Sequence, residues 1–261
     1  MSAIVVNGGL VHYESFGRGN PILFIHGWFG SWRYWMQAME SLAVEHRVYA
    51  LDLWGFGDSD KSEDRFSMEH FVAQISAFID SLGIGNPLLV GHALGAGVAI
   101  EYVSRQLSPV EKIVAISLPL EPKAIDRRLA SYTNSSLLSK VFRWKPIPTK
   151  EIEQETERIA KNVIPLSLES FTSLNIAEKL HNLNSSVLLV YGEKDDVVDP
   201  SAVNALNNNQ KHIKYISLPA SRHFPMVDES SKFNRLLKDF ADKDATLESL
   251  ELKDEWRRRI R

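Results

Sequence analysis

Apolar residues fall along the chain in two kinds of pattern. Short continuous blocks rich in Ile, Val and Leu occupy residues 21–26, 47–53, 87–90, 112–118, 186–191 and 213–218. Blocks of this length suit strands buried on both faces of a parallel sheet. Between them the apolar positions recur at helical spacing, over 31–43, 67–82, 94–107, 201–207 and 228–241. The second of these opens on Ser67 as an N-cap, carries Phe71, Ile75, Phe78 and Ile79 on one face, and stops at Gly83. The start of the chain differs: residues 3–6 and 10–16 flank Asn7-Gly8-Gly9, a turn sequence suited to positive φ, and predict a hairpin. Strands alternating with helices imply an α/β fold, a doubly wound and mostly parallel sheet.

One segment breaks the alternation. Residues 121–180 are polar, carry Pro122, Pro146, Pro148 and Pro165, and show helical patterns without a strand-like run. They are expected to form a helical cap inserted between the two parts of the core, residues 1–120 and 181–241. Residues 242–261 make a charged tail. Its Leu252, Trp256 and Ile260 recur every four residues, a short stripe suited to a weak protein contact, and the core is expected to fold without the tail.

Composition narrows the function classes. The chain has 261 residues, 44% of them hydrophobic and 24% charged, values ordinary for a soluble globular domain. A net charge of −3 and a pI near 6.3 argue against a nucleic-acid partner. There is no cysteine, which excludes disulfides, thiolate metal sites and a cysteine nucleophile. The first 16 residues carry no secretory pattern, and the apolar-leaning stretch 90–100 is too short and Gly-rich to span a bilayer. A cytoplasmic protein without membrane association is the expectation.

Four local patterns then fall where expected strands end, the place at which sites form on open parallel sheets. They are His26-Gly27-Trp28-Phe29-Gly30, Gly91-His92-Ala93-Leu94-Gly95, Gly192-Glu193-Lys194-Asp195-Asp196-Val197-Val198, and Ser221-Arg222-His223-Phe224-Pro225. A fifth, running from Asp52 to Ser59, reads as a structural turn. In this order, with a cap in its usual place, they make residues 3–241 resemble the α/β-hydrolase family, in particular its helical-capped ester-hydrolase and epoxide-hydrolase-like members.

The resemblance assigns roles that the physics of each position supports. Position 93 is the tip of a nucleophile elbow, where Gly91, Gly95 and Ala96 are small enough for strand and helix to close together. The backbone N–H groups of Leu94 and Trp28 would form the oxyanion hole. His223 is placed to act as base and Asp195 to orient it, with Asp196, Asp199 and Glu121 as other possible carboxylates. Trp28, Phe29 and His92 are the expected pocket neighbours, with His92 and His26 bracing rather than reacting. Trp32, Tyr34 and Trp35 are expected mostly to pack helix on sheet. No metal or organic cofactor is implied; the partner is a small-molecule substrate or ligand.

The departure lies at the tip. Ala93 has no hydroxyl, so an acyl-enzyme cannot form there. Three accounts stand open: an inactivated form of a hydrolase of small, fairly apolar esters or related carbonyl compounds; a binding or signalling module that keeps the pocket; and a His223–Asp195 dyad acting as a general base without a nucleophile, as in the family's lyases and cofactor-free oxygenases.

Overall fold

The computed structural model describes residues 2–130, 154–206 and 210–250. Its strands are β1 (Ser2–Val6), β2 (Gly9–Phe16), β3 (Asn20–Ile25), β4 (His46–Leu51), β5 (Leu88–His92), β6 (Lys112–Ile116), β7 (Ser186–Gly192) and β8 (Ile213–Leu218). They form one sheet in the order β1-β2-β4-β3-β5-β6-β7-β8. The expected hairpin joins β1 to β2, with positive φ at both Asn7 and Gly8, as a tight turn between antiparallel strands requires. β2 also runs antiparallel to β4, and every other neighbouring pair is parallel. Five of the six apolar blocks lie in interior strands and the last, β8, closes one edge; Leu23, Phe24, Ile25, Leu89, Val90 and Ile113 to Ile116 are almost wholly buried.

The helices are α1 (Met36–Leu42), α2 (Met68–Leu82), α3 (Leu94–Ser104), α4 (Arg127–Ala130), α5 (Val163–Thr172), α6 (Ile176–His181), α7 (Val203–Leu206), α8 (Pro225–Asp228) and α9 (Ser230–Ala241). Two groups pack separately, α1 with α9 and α3 with α2 and α6, as a doubly wound sheet requires. In α2 the Ser67 hydroxyl accepts the His70 N–H and Gly83 closes the helix in the left-handed region.

Element ends differ from the apolar blocks where tertiary bonds take over. The block at 47–53 leaves the sheet at Leu51, because Asp52 turns inward to accept the Trp32 and Asp58 N–H groups. The block at 112–118 stops at Ile116, because Ser117 takes φ +45. The helix expected from residue 31 begins as a tighter 3₁₀ turn, Trp32–Trp35, before α1.

Within the expected cap, the described parts are a 3₁₀ turn Pro122–Ala124, α4, α5 and α6, with an isolated bridge between Ile125 and Val198. Residues 131–153 lie outside the described residues. The tail is not detached at its start. Leu247 and Leu250 are buried in the core, and Lys112 Nζ donates to the carbonyls of Phe240 and Asp242 at 3.2 and 2.6 Å. The stripe Leu252, Trp256 and Ile260 lies outside the described residues. Among the described residues no helix is long and apolar enough to cross a membrane.

Candidate active site

β5 runs directly into α3 through a single residue, Ala93. Its N–H donates to the Ile116 carbonyl at 2.8 Å, its carbonyl accepts from the Gly97 N–H at 3.1 Å, and its backbone sits at φ +46, ψ −107. An L-residue is strained there by roughly 1–3 kcal/mol, and such strain persists only where the surroundings enforce it. The enforcement is visible. A Cβ on Gly91 would lie 2.5 Å from Ala96 Cα, and one on Gly95 would lie 2.3 Å from the Ile25 carbonyl oxygen. Ala93 itself is completely buried.

The loop after β3 lies against this tip: a Cβ on Gly27 would sit 3.2 Å from Ala93 Cβ. His26 braces it. Its Nδ1–H donates to the Gly27 carbonyl at 2.8 Å and its Nε2 accepts the Leu53 N–H at 2.9 Å. Trp28 is buried, donates from its indole N–H to Ser167 Oγ on α5 at 3.1 Å, and meets the Phe171 ring edge-on at 5.3 Å. Phe29 is also buried. Neither the Trp28 nor the Leu94 backbone N–H donates to a group among the described residues. α3 runs over eleven residues from this point, so its N-terminal partial positive charge faces the tip.

His223 lies on the loop between β8 and α8, 4% exposed. Its Nδ1 bonds both oxygens of Asp195, at 3.0 and 3.2 Å, and Asp195 Oδ1 also accepts the N–H groups of Val197 and Val198. Burial alone would raise the Asp195 pKa, but the charge and hydrogen bond of His223, with the two N–H groups, bring it below the usual carboxylate value. Of the other carboxylates considered for this role, Glu121 pairs with Lys123 and Asp199 caps a turn at Ser201.

His92 ends β5 with its ring 4.7 Å from that of His223. Its Nε2 bonds the His223 carbonyl at 2.9 Å and its Nδ1 bonds the Tyr34 hydroxyl at 3.1 Å. That hydroxyl also accepts the Gly27 N–H at 2.6 Å. Tyr34 was expected mostly to pack, and its hydroxyl contacts with Gly27 and His92 are the main feature missed from the sequence. Ser117 and Ser167 were missed as well: the Ser117 hydroxyl donates to the His223 carbonyl at 3.4 Å. The one sequence signal for Tyr34 is a hydroxyl in a row of aromatics that could all have been hydroxyl-free.

Among the described residues, the donor atoms close enough to share a cation belong to His12, Asp52 and Asp58, within 4.8 Å of one another. They are already engaged. Asp52 takes the Trp32 and Asp58 N–H groups and His12, while Asp58 pairs with Arg33 and Arg158. These bonds brace the turn from Asp52 to Ser59 and tie it to Trp32 and Arg33.

The bracing histidines carry a pH dependence. Burial is the main cause holding the pKa of His26 below the usual value and that of His92 well below it. Each is therefore neutral when folded but protonates near pH 6.5 when unfolded. Their contribution to stability is complete above that pH and is lost as the pH falls below it, by up to about 1.4 kcal/mol per pH unit for each histidine. Stability from urea unfolding is expected to fall as the pH drops from 7.5 to 5.5. A flat profile over this range would contradict the neutral bracing assignment. Asp58, Glu101 and Asp195, whose pKa values are lowered, lose stabilising charge only below about pH 4.

The comparisons with known proteins agree with this fold. A family model described as alpha/beta hydrolase fold matches residues 20–135. A pimeloyl-[acyl-carrier protein] methyl ester esterase of Vibrio parahaemolyticus is 23% identical over 257 residues, covering 88% of this chain and 98% of the esterase. An esterase structure from Exiguobacterium antarcticum superimposes with a TM-score of 0.80 at 19% identity, covering 90% of this chain and 96% of that one. A serine-to-alanine mutant of a meta-cleavage product hydrolase from Pseudomonas fluorescens, complexed with acetates, gives 0.74 at 24% identity, with 92% and 97% covered.

Proposed function

Because this chain is an α/β-hydrolase-fold protein, we propose that its elbow is an ester-hydrolase site lacking its nucleophile, which binds a small, fairly apolar ester or related carbonyl ligand without covalent turnover. One observation carries the reading: Ala93 keeps the strained φ +46, ψ −107 backbone of an elbow tip while the Asp195–His223 pair stays hydrogen-bonded beside it. A generic strand-to-helix turn has no need of that strain, nor of a histidine locked by a buried carboxylate.

The roles follow from the groups. The ligand's carbonyl oxygen accepts the Trp28 and Leu94 N–H groups, helped by the α3 N-terminus. Asp195 holds His223 with its proton on Nδ1, which leaves Nε2 as the acceptor a nucleophile or water would need. Ala93 supplies no oxygen to attack, so the bond to the leaving group stays intact. Support for a carbonyl ligand comes from the two relatives named as esterases and from the alanine-substituted hydrolase named as complexed with acetates.

A thermal-shift series with short-chain aryl esters tests this. At a hundredfold excess over Kd a bound ester adds about 2.7 kcal/mol of stability, and mass spectrometry recovers it unchanged. Hydrolysis by the parent chain at ordinary esterase rates, or no shift with any ester, would overturn the proposal.

A further inference from the structure

Two side chains, the half-buried Tyr34 and the buried His92, connect the loop after β3 to the histidine loop, and neither has a part in bond making. The proton positions along this connection can be worked out from the partners alone. The His223 carbonyl can only accept, so His92 Nε2 must carry the hydrogen. A neutral ring then has a bare Nδ1, which must accept from the Tyr34 hydroxyl. The Tyr34 oxygen is left with a lone pair for the Gly27 N–H, its partner at 2.6 Å. The order is therefore Gly27 N–H to Tyr34 O–H to His92 to the carbonyl of His223, with one arrangement of hydrogens.

We infer that Tyr34 and His92 form a positioning relay that holds the His26–Gly27 peptide, one residue before the Trp28 N–H, and the His223 backbone in fixed relation across the elbow. The inference rests on reading Trp28 as an oxyanion donor and His223 as the base. Each end of the relay grips a backbone group, so it sets where those two residues stand without touching the ligand. It spans 131 residues of sequence between His92 and His223 and 58 between Tyr34 and His92. Packing alone does not account for the residue choice. Tyr34 meets Trp35, His92 and Phe224 edge-on, contacts a phenylalanine would make equally well. Removing its hydroxyl strands the Gly27 N–H and His92 Nδ1 in a buried place.

Both the parent and the Ala93→Ser form are needed for the test. In the parent, Tyr34→Phe is expected to shift the downfield proton resonance of the His223 ring N–H bonded to Asp195, with the fold retained by circular dichroism. In the Ala93→Ser form, Tyr34→Phe is expected to lower kcat for an aryl ester by about 10- to 100-fold, with KM changed less than about threefold, since misplaced reacting groups are costly. His92→Leu should do the same, and His92→Gln, which can still donate to the His223 carbonyl, should restore most of kcat. If Tyr34→Phe leaves both the resonance and kcat unmoved, or His92→Gln behaves like His92→Leu, the relay is wrong. If Ala93→Ser hydrolyses nothing while the resonance still shifts, the relay stands and the ester reading fails.

Discussion

Ala93→Ser is expected to raise hydrolysis of short-chain aryl esters by about 10⁴- to 10⁶-fold over the parent, the size of loss seen when a triad nucleophile is removed. The change adds one oxygen to a residue whose backbone already has the conformation of an elbow tip. No reorganisation of the site is needed, because Asp195 already fixes His223 and the oxyanion loop is already braced by His26 and Tyr34. The new hydroxyl sits at the N-terminus of α3, where the developing alkoxide is favoured. The gain should depend on the acid: adding Asp195→Asn should remove about 10⁴-fold, because His223 then loses the partner that sets its tautomer. Steady-state rates of the single and double variants, against the parent at neutral pH, check both statements. A serine form no faster than the parent would show that Ala93 is not at a reactive position.

Gly95→Ala is expected to destabilise the chain by more than about 4 kcal/mol, a large share of the roughly 5–15 kcal/mol that holds a domain folded. The added methyl would lie 2.3 Å from the Ile25 carbonyl oxygen and 2.6 Å from that of His26. Those are backbone atoms at the end of β3, so no side chain can rotate away. Either α3 lifts off the sheet, which breaks the elbow, or the oxyanion loop moves, which breaks the site. Gly83→Ala makes the control. Unlike Gly95 it sits at positive φ, but nothing lies within 4 Å of the new methyl, so only the left-handed backbone cost of about 1–2 kcal/mol applies. Urea midpoints of the two variants measure the contrast; similar midpoints would mean that α3 and β3 are less tightly closed than described.

The parts of the molecule that could be read from the sequence are those governed by local pattern. The apolar blocks became β3 to β8, Asn7-Gly8 made its hairpin turn, and Ser67 and Gly83 bounded α2, because burial, turn chemistry and capping act over a few residues. The Gly91–Gly95 elbow was legible for the same reason. What escaped depends on partners distant in the chain. Nothing near Tyr34 announces that its hydroxyl will meet His92 and Gly27, and nothing near Ser117 announces its positive φ or its approach to the His223 carbonyl. The tail shows the same limit: its charge left open whether it packs on the body, and Leu247 and Leu250 find a place in the core.

Intact-mass analysis after brief mixing with an activated aryl ester puts the central claim to its most direct test. The Ala93→Ser chain is predicted to gain one acyl group, mapped by peptide sequencing to residue 93, with a matching burst of the aryl alcohol. The parent is predicted to gain none while still binding the ester. An unacylated serine form, or acylation of the parent at another residue, would contradict the account.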